Sequence, residues 1–82
     1  MTATQFRRLL AEGETLRSTC RGDYGAGYVR GLRRCYHGEN FGTAEEHALL
    51  LAAVESEDAS RAERGRGYRD GLAGRRPQWP ER

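Results

Sequence analysis

The chain contains no lysine and no isoleucine, only two prolines, two cysteines and one tryptophan, and no apolar run of the length that a bilayer requires. Each absence excludes something. A membrane span needs about 20 consecutive apolar residues, so none is expected here. No positively charged start leads into an apolar stretch of signal-peptide type, and the expected location is the cytoplasm. In that compartment Cys20 and Cys35 stay reduced, and two thiols are too few for a disulfide framework. Without lysine, and with no strand pattern ahead of them, the glycine-rich stretches fail as phosphate loops.

What is present is arginine, alanine, glycine and glutamate. Eighty-two residues support one small core, worth roughly 3–5 kcal/mol unaided. The expected organisation is a single helical domain over 1–74 and a C-terminal tail over 75–82. Net charge is only +2, but it is zoned: residues 1–38 sum to +4, residues 39–58 to −6 and residues 59–82 to +4. Such zoning steers an oppositely charged partner.

Apolar spacing predicts four helices. Phe6, Leu9, Leu10, Gly13 and Leu16 place the first over about 3–18. Arg21-Gly22-Asp23 reads as a turn, with Asp23 capping a second helix over about 24–37. There Tyr24, Gly27, Tyr28, Gly31, Leu32 and Cys35 share one face, and Arg30, Arg33 and Arg34 the other. Gly38 suits a left-handed C-terminal cap. Thr43 and Glu46 have capping-box spacing and open a third helix over about 44–55, whose Leu49-to-Val54 run is apolar nearly all round and predicts the most buried element. Ser60 and Glu63 suggest a second capping box for a fourth helix over about 60–73, closed by Gly74 and Pro77. The tail beyond it is either a loose end or a strap held by Trp79.

At an offset of 40 residues the chain resembles itself. Gly25-Ala26-Gly27-Tyr28-Val29-Arg30-Gly31-Leu32 aligns with Gly65-Arg66-Gly67-Tyr68-Arg69-Asp70-Gly71-Leu72, and Leu9-Leu10 with Leu49-Leu50. The expected fold is therefore all-α, four short helices as two tandem helical hairpins, each carrying a GxGYxxGL element on its second helix. Six glycines inside helices forfeit on the order of 5 kcal/mol against alanine, a loss that close packing has to offset. Three arrangements are open: the two glycine-rich helices pack on each other or on their hairpin partners; they leave a groove for a partner; or these stretches are loops.

Little here reads as catalytic. Cys20, Cys35, His37 and His47 are the only soft or imidazole ligands, and their spacing scatters them around helix ends, so no metal or cofactor is expected. A chain of this size also has little volume for a substrate pocket, and no enzyme activity is expected. The acidic zone has two readings: a structural one, since Glu45, Glu46, Glu55, Glu57 and Asp58 flank helix N-termini, and an interaction surface. The arginines point outward: Arg30, Arg33 and Arg34 on one helix, and Arg66, Arg69, Arg75 and Arg76 on or after the other, make a two-lobed basic surface. Tyr28, Tyr36 and Trp79 are candidate aromatic anchors beside it.

The Arg66-Gly67-Tyr68-Arg69-Asp70-Gly71-Leu72-Ala73-Gly74 run, in a short arginine-rich chain of zoned charge, resembles the small proteins encoded by phages and mobile elements of GC-rich bacteria. Anti-CRISPR proteins are drawn from that pool. The resemblance implies a stoichiometric inhibitor that docks on a CRISPR effector complex and blocks nucleic-acid binding or nuclease recruitment. Two other readings of the same residues stand beside it. One is a nucleic-acid-binding regulator whose arginines contact phosphate, although base-reading amides are scarce. The other is a homo-oligomeric scaffold joined through the glycine grooves, with monomer and homodimer both open.

Overall fold

In the computed structural model, residues 1–19 and 21–79 are described. Four helices form: α1 over Ala3–Arg17, α2 over Gly22–His37, α3 over Ala44–Ala52 and α4 over Ala59–Leu72. Single 3-10 turns, Gly38–Asn40 and Ala53–Glu55, extend α2 and α3. Among the described residues there is no strand, and the all-α expectation holds.

Local chemistry fixes most of the ends. Thr2 and Gln5 form a full capping box on α1, with the Gln5 amide donating to the Thr2 hydroxyl at 3.1 Å and the Thr2 amide to the Gln5 side chain at 3.0 Å. Thr43 accepts from the Glu46 amide at 3.1 Å, as its spacing suggests. Gly38 takes φ +70°, closing α2 in the region that favours glycine. Two expected caps are replaced. α4 opens one residue earlier than Ser60 because Asp58 accepts from the Arg61 amide at 3.1 Å. α2 starts at Gly22 behind Arg21, with no side-chain cap, so Asp23 falls inside its first turn and pairs with Arg64 at 3.3 Å.

The helices stand in a row, α1 against α2, α2 against α4, and α4 against α3. The centre of that row is a glycine-lined crossing. A β-carbon added at Gly27 or Gly31 would lie under 3.0 Å from the carbonyl of Arg64 or Tyr68 in α4. One added at Gly67 or Gly71 would meet the carbonyl of Tyr24 or Tyr28 in α2 just as closely. The contacts are reciprocal, and partner numbers rise together along both helices, so α2 and α4 run parallel and in register.

Glycine also seats each outer helix. At Gly25 a β-carbon would sit 2.7 Å from the Arg17 amide nitrogen of α1, and at Gly65 it would sit 2.7 Å from that of Val54, in the turn after α3. Of the three arrangements open from the sequence, the glycine-rich helices pack on each other and on their hairpin partners. They leave no groove for a partner between them.

Apolar burial is concentrated on one side of this crossing. Leu9 and Leu16 of α1 meet Tyr24, Tyr28 and Leu32 of α2, with Phe6 and Leu10 packed against them. α3 departs from expectation, because none of its residues is buried. As the end of the row it is covered from one side only: Leu50 and His47 turn toward α4, while Leu49 is 72% and Leu51 40% exposed.

The crossing predicts the sign of a substitution. Alanine is the better helix former by about 0.8–1 kcal/mol, so replacing an open helical glycine would stabilise the chain. At Gly27 and Gly67 the added methyl has only backbone to displace. Gly27→Ala and Gly67→Ala are each expected to lower stability by at least about 2 kcal/mol, which urea denaturation measures; an unchanged or raised midpoint contradicts the packing.

Candidate functional site

The ten residues expected to contact a partner are dispersed over α2, α4 and the segment after it. Tyr28 has to be removed from the set. Its side chain is fully buried, and its hydroxyl donates to the Arg75 carbonyl, so the ring is core and not an anchor. Tyr36 is partly exposed but stacks flat on Phe6, ring centroids 4.2 Å apart. Trp79 is partly exposed, and its indole N–H donates to Glu12 at 3.3 Å.

The arginines mostly answer carboxylates of their own chain. Arg30 pairs with Glu46 and lies over the Phe41 ring, while Arg34 donates to the Phe41 carbonyl at 2.9 Å. Arg66 pairs with Glu63 at 2.7 Å, Arg75 with Asp70 at 3.6 Å and Arg76 with Glu12 at 3.2 Å. Arg33 and Arg69 have no carboxylate within ion-pair range among the described residues. Exposed pairs of this kind contribute little to stability, yet each cancels the local field that a phosphate backbone would feel. The two-lobed basic surface is therefore weaker than its residue count suggests.

The segment after α4 is a strap. The Gln78 amide donates to the Tyr24 hydroxyl at 3.1 Å, and Arg21 donates to the Gln78 carbonyl at 2.7 Å. Beneath it the Tyr24 hydroxyl donates to Asp70 at 2.6 Å, an aspartate only 3% exposed. No buried side-chain nitrogen or oxygen is left without a partner among the described residues. Those buried polar groups are spent on holding the strap and the two hairpins together. Tyr68, 40 positions after Tyr28, does the corresponding work toward α3, its hydroxyl 2.5 Å from Nδ1 of His47.

The cysteine and histidine set does not converge. Cys35 is exposed and lines a cleft of roughly 650 Å³ with Arg8, Glu12 and Arg76, so it is not the small core residue its face suggested. His37 packs among Phe6, Tyr36 and Phe41, while His47 is on α3 against Tyr68. Cys20 lies outside the described residues. Among those described, no group of three metal-binding side chains forms.

The exposed apolar face of α3 is not legible in the sequence. α3 presents Ala48, Leu49, Leu51 and Ala52 to solvent, and beside them a cleft of roughly 520 Å³ runs toward Arg61 and Arg64 at the start of α4. The acids divide sharply around it. Glu12, Glu14, Asp23, Glu46, Glu63 and Asp70 each pair with an arginine. Glu39, Glu45, Glu55, Glu57 and Asp58 have no ion-pair partner among the described residues, and all five lie in the segment that carries α3. Glu45 gains from the α3 N-terminus and Asp58 caps α4. Glu55 gains nothing comparable, because it ends the turn that extends α3, beside the negative end of the helix dipole.

No family model, no curated protein and no solved structure matches this chain.

The buried tyrosines set a test of the strap and core. Burial, reinforced by the hydrogen bond to Asp70, pushes Tyr24 up to about 12 from its usual 10.0. Burial raises Tyr28 and Tyr68 as well. A raised folded-state value means that the stabilisation is complete below the unfolded value and is lost as pH climbs through the folded one. Tyrosinate absorbance and loss of helical circular dichroism are expected to rise together above about pH 10. Ionisation of Tyr24, Tyr28 and Tyr68 near pH 10 with the helices intact contradicts the burial.

Proposed function

We propose that this chain binds another protein and catalyses nothing. Its partner, on this reading, is a nucleic-acid-handling defence assembly of the kind the resemblance implies, a CRISPR effector complex whose nucleic-acid binding or nuclease recruitment it blocks. The observation that carries the protein-binding part is α3, a helix that buries none of its residues and exposes Leu49 by 72%. An isolated helix of nine residues is marginal in water, and contiguous exposed apolar surface beside polar residues is characteristic of interaction sites.

Two further features favour a protein over nucleic acid. Most of the arginines considered for phosphate are already matched with carboxylates, and the carboxylates without arginines are grouped around α3. The absence of catalysis rests on how the buried polar groups are used: Tyr24, Tyr28 and Asp70 hold structure and line neither of the two clefts described above.

Size-exclusion chromatography with a purified CRISPR effector complex tests the reading. Co-elution in a fixed ratio that survives nuclease treatment is the expected result. Binding instead to bare duplex or RNA, weakening steeply as salt rises, contradicts it and favours the phosphate-binding alternative.

A further inference from the structure

We propose that the outer face of α3 is the docking surface, and that it takes a protein segment with an apolar centre and a basic residue at each end. This inference rests on the protein-binding reading and specifies the partner's chemistry. The centre of the face is apolar and exposed, Leu49 foremost, with Ala48, Leu51 and Ala52 around it. Its two ends are acidic and without ion-pair partners among the described residues: Glu45 lies in the first turn of α3, and Glu55, Glu57 and Asp58 follow its other end.

Charge decides among occupants. A second copy pairing antiparallel through α3 would bring Glu45 of each chain toward Glu55 and Glu57 of the other, opposing two segments that each carry −6. A nucleic acid would meet the same carboxylates at both ends of the face. A partner carrying arginine or lysine at both ends of an apolar stretch satisfies both parts of the surface.

The middle of the face imposes a further condition. Arg61 and Arg64 border the cleft on the α4 side, and Arg64 is already paired with Asp23. A positive charge at the partner's centre would be repelled there, so its basic residues belong at the ends. Glu45 and Glu55 are ten residues apart, about 15 Å along a helix, which sets the spacing of the matching cations. Protein surfaces that grip single-stranded nucleic acid combine positive charge with aromatic side chains, and an acidic and apolar face is complementary to such a surface, which links it to the proposed role.

The probe is a fluorescein-labelled synthetic helical peptide with leucines on one face and lysines about ten positions apart at its two ends. Binding is followed by anisotropy at low and physiological salt. The native chain is expected to bind it, more weakly as salt rises. Leu49→Ser is expected to weaken binding at least about tenfold, and Glu45→Gln/Glu55→Gln/Glu57→Gln to weaken it and flatten the salt dependence. All four positions are exposed, and melting curves matching the native chain confirm that both variants fold.

Three peptide-binding results overturn the proposal: no binding by the native chain at low salt, variants that bind like the native chain, or equal binding of a peptide with glutamate in place of lysine. A concentration-dependent dimer that Leu49→Ser abolishes overturns it too, in favour of a second copy. Co-elution of an effector complex indifferent to Leu49→Ser ends this proposal and leaves the protein-binding reading standing. Leu49-dependent peptide binding with no effector capture supports the surface and ends the effector assignment.

Discussion

Everything in this molecule depends on two helix backbones approaching each other with no side chain between them. Gly27 and Gly31 place their Cα hydrogens against carbonyls of α4, and Gly67 and Gly71 do the same against α2. Contacts of that type are individually weak, about 0.5–1 kcal/mol each. Reciprocal repetition along two parallel helices, with the dispersion gained where backbones touch, offsets the propensity that the glycines forfeit. The chain thereby folds although its mean hydropathy is −0.88 and its apolar cluster is small. Alanine at those positions would improve each helix and separate the pair.

From that constraint the surface follows. A crossing in the middle of the row leaves α1 and α3 as outer helices, and the two fare differently. α1 contributes Leu9 and Leu16 to the core, whereas α3 contributes no fully buried residue. Tyr28 and Tyr68 occupy matching positions and hold different elements, the first the strap through Arg75 and the second α3 through His47. Long-range ion pairs of Arg21 with Glu63 and Arg76 with Glu12 tie the periphery together. The segment around α3 takes little part in this pairing, with Glu46 alone matched, to Arg30. Its leucines and remaining carboxylates stay available.

Much of this was legible beforehand. Helix spacing, the Thr43 cap and the Gly38 ending follow from local rules, and close packing of the glycine-rich helices follows from asking what could offset so much glycine. The sequence favours Ser60 as the cap that Asp58 supplies, because both residue types accept from amides equally well and spacing does not choose between candidates two residues apart. Tyr28 reads as an anchor in the sequence because it flanks the glycines. A buried hydroxyl there becomes legible only once the Arg75 carbonyl is known to come back across it. The exposure of α3 is illegible for a related reason: an apolar run shows that cover is favourable, while position in the row determines whether anything in the chain supplies it. The arginines misled in the opposite direction, since their partners Glu46, Glu12 and Asp70 are distant or local in ways that composition does not reveal.

The register of the parallel crossing is the claim on which the rest stands, and proton NMR of the folded chain reads it directly. Added β-carbons at Gly67, Gly71 and Gly31 would lie 2.8, 2.6 and 2.9 Å from the amide nitrogens of Tyr28, Leu32 and Leu72, so the glycine Cα protons must be very near those amide protons. Strong nuclear Overhauser effects for all three pairs are the predicted result. Their absence, or cross-peaks joining the start of α2 to the end of α4, would mean that the helices meet in some other way.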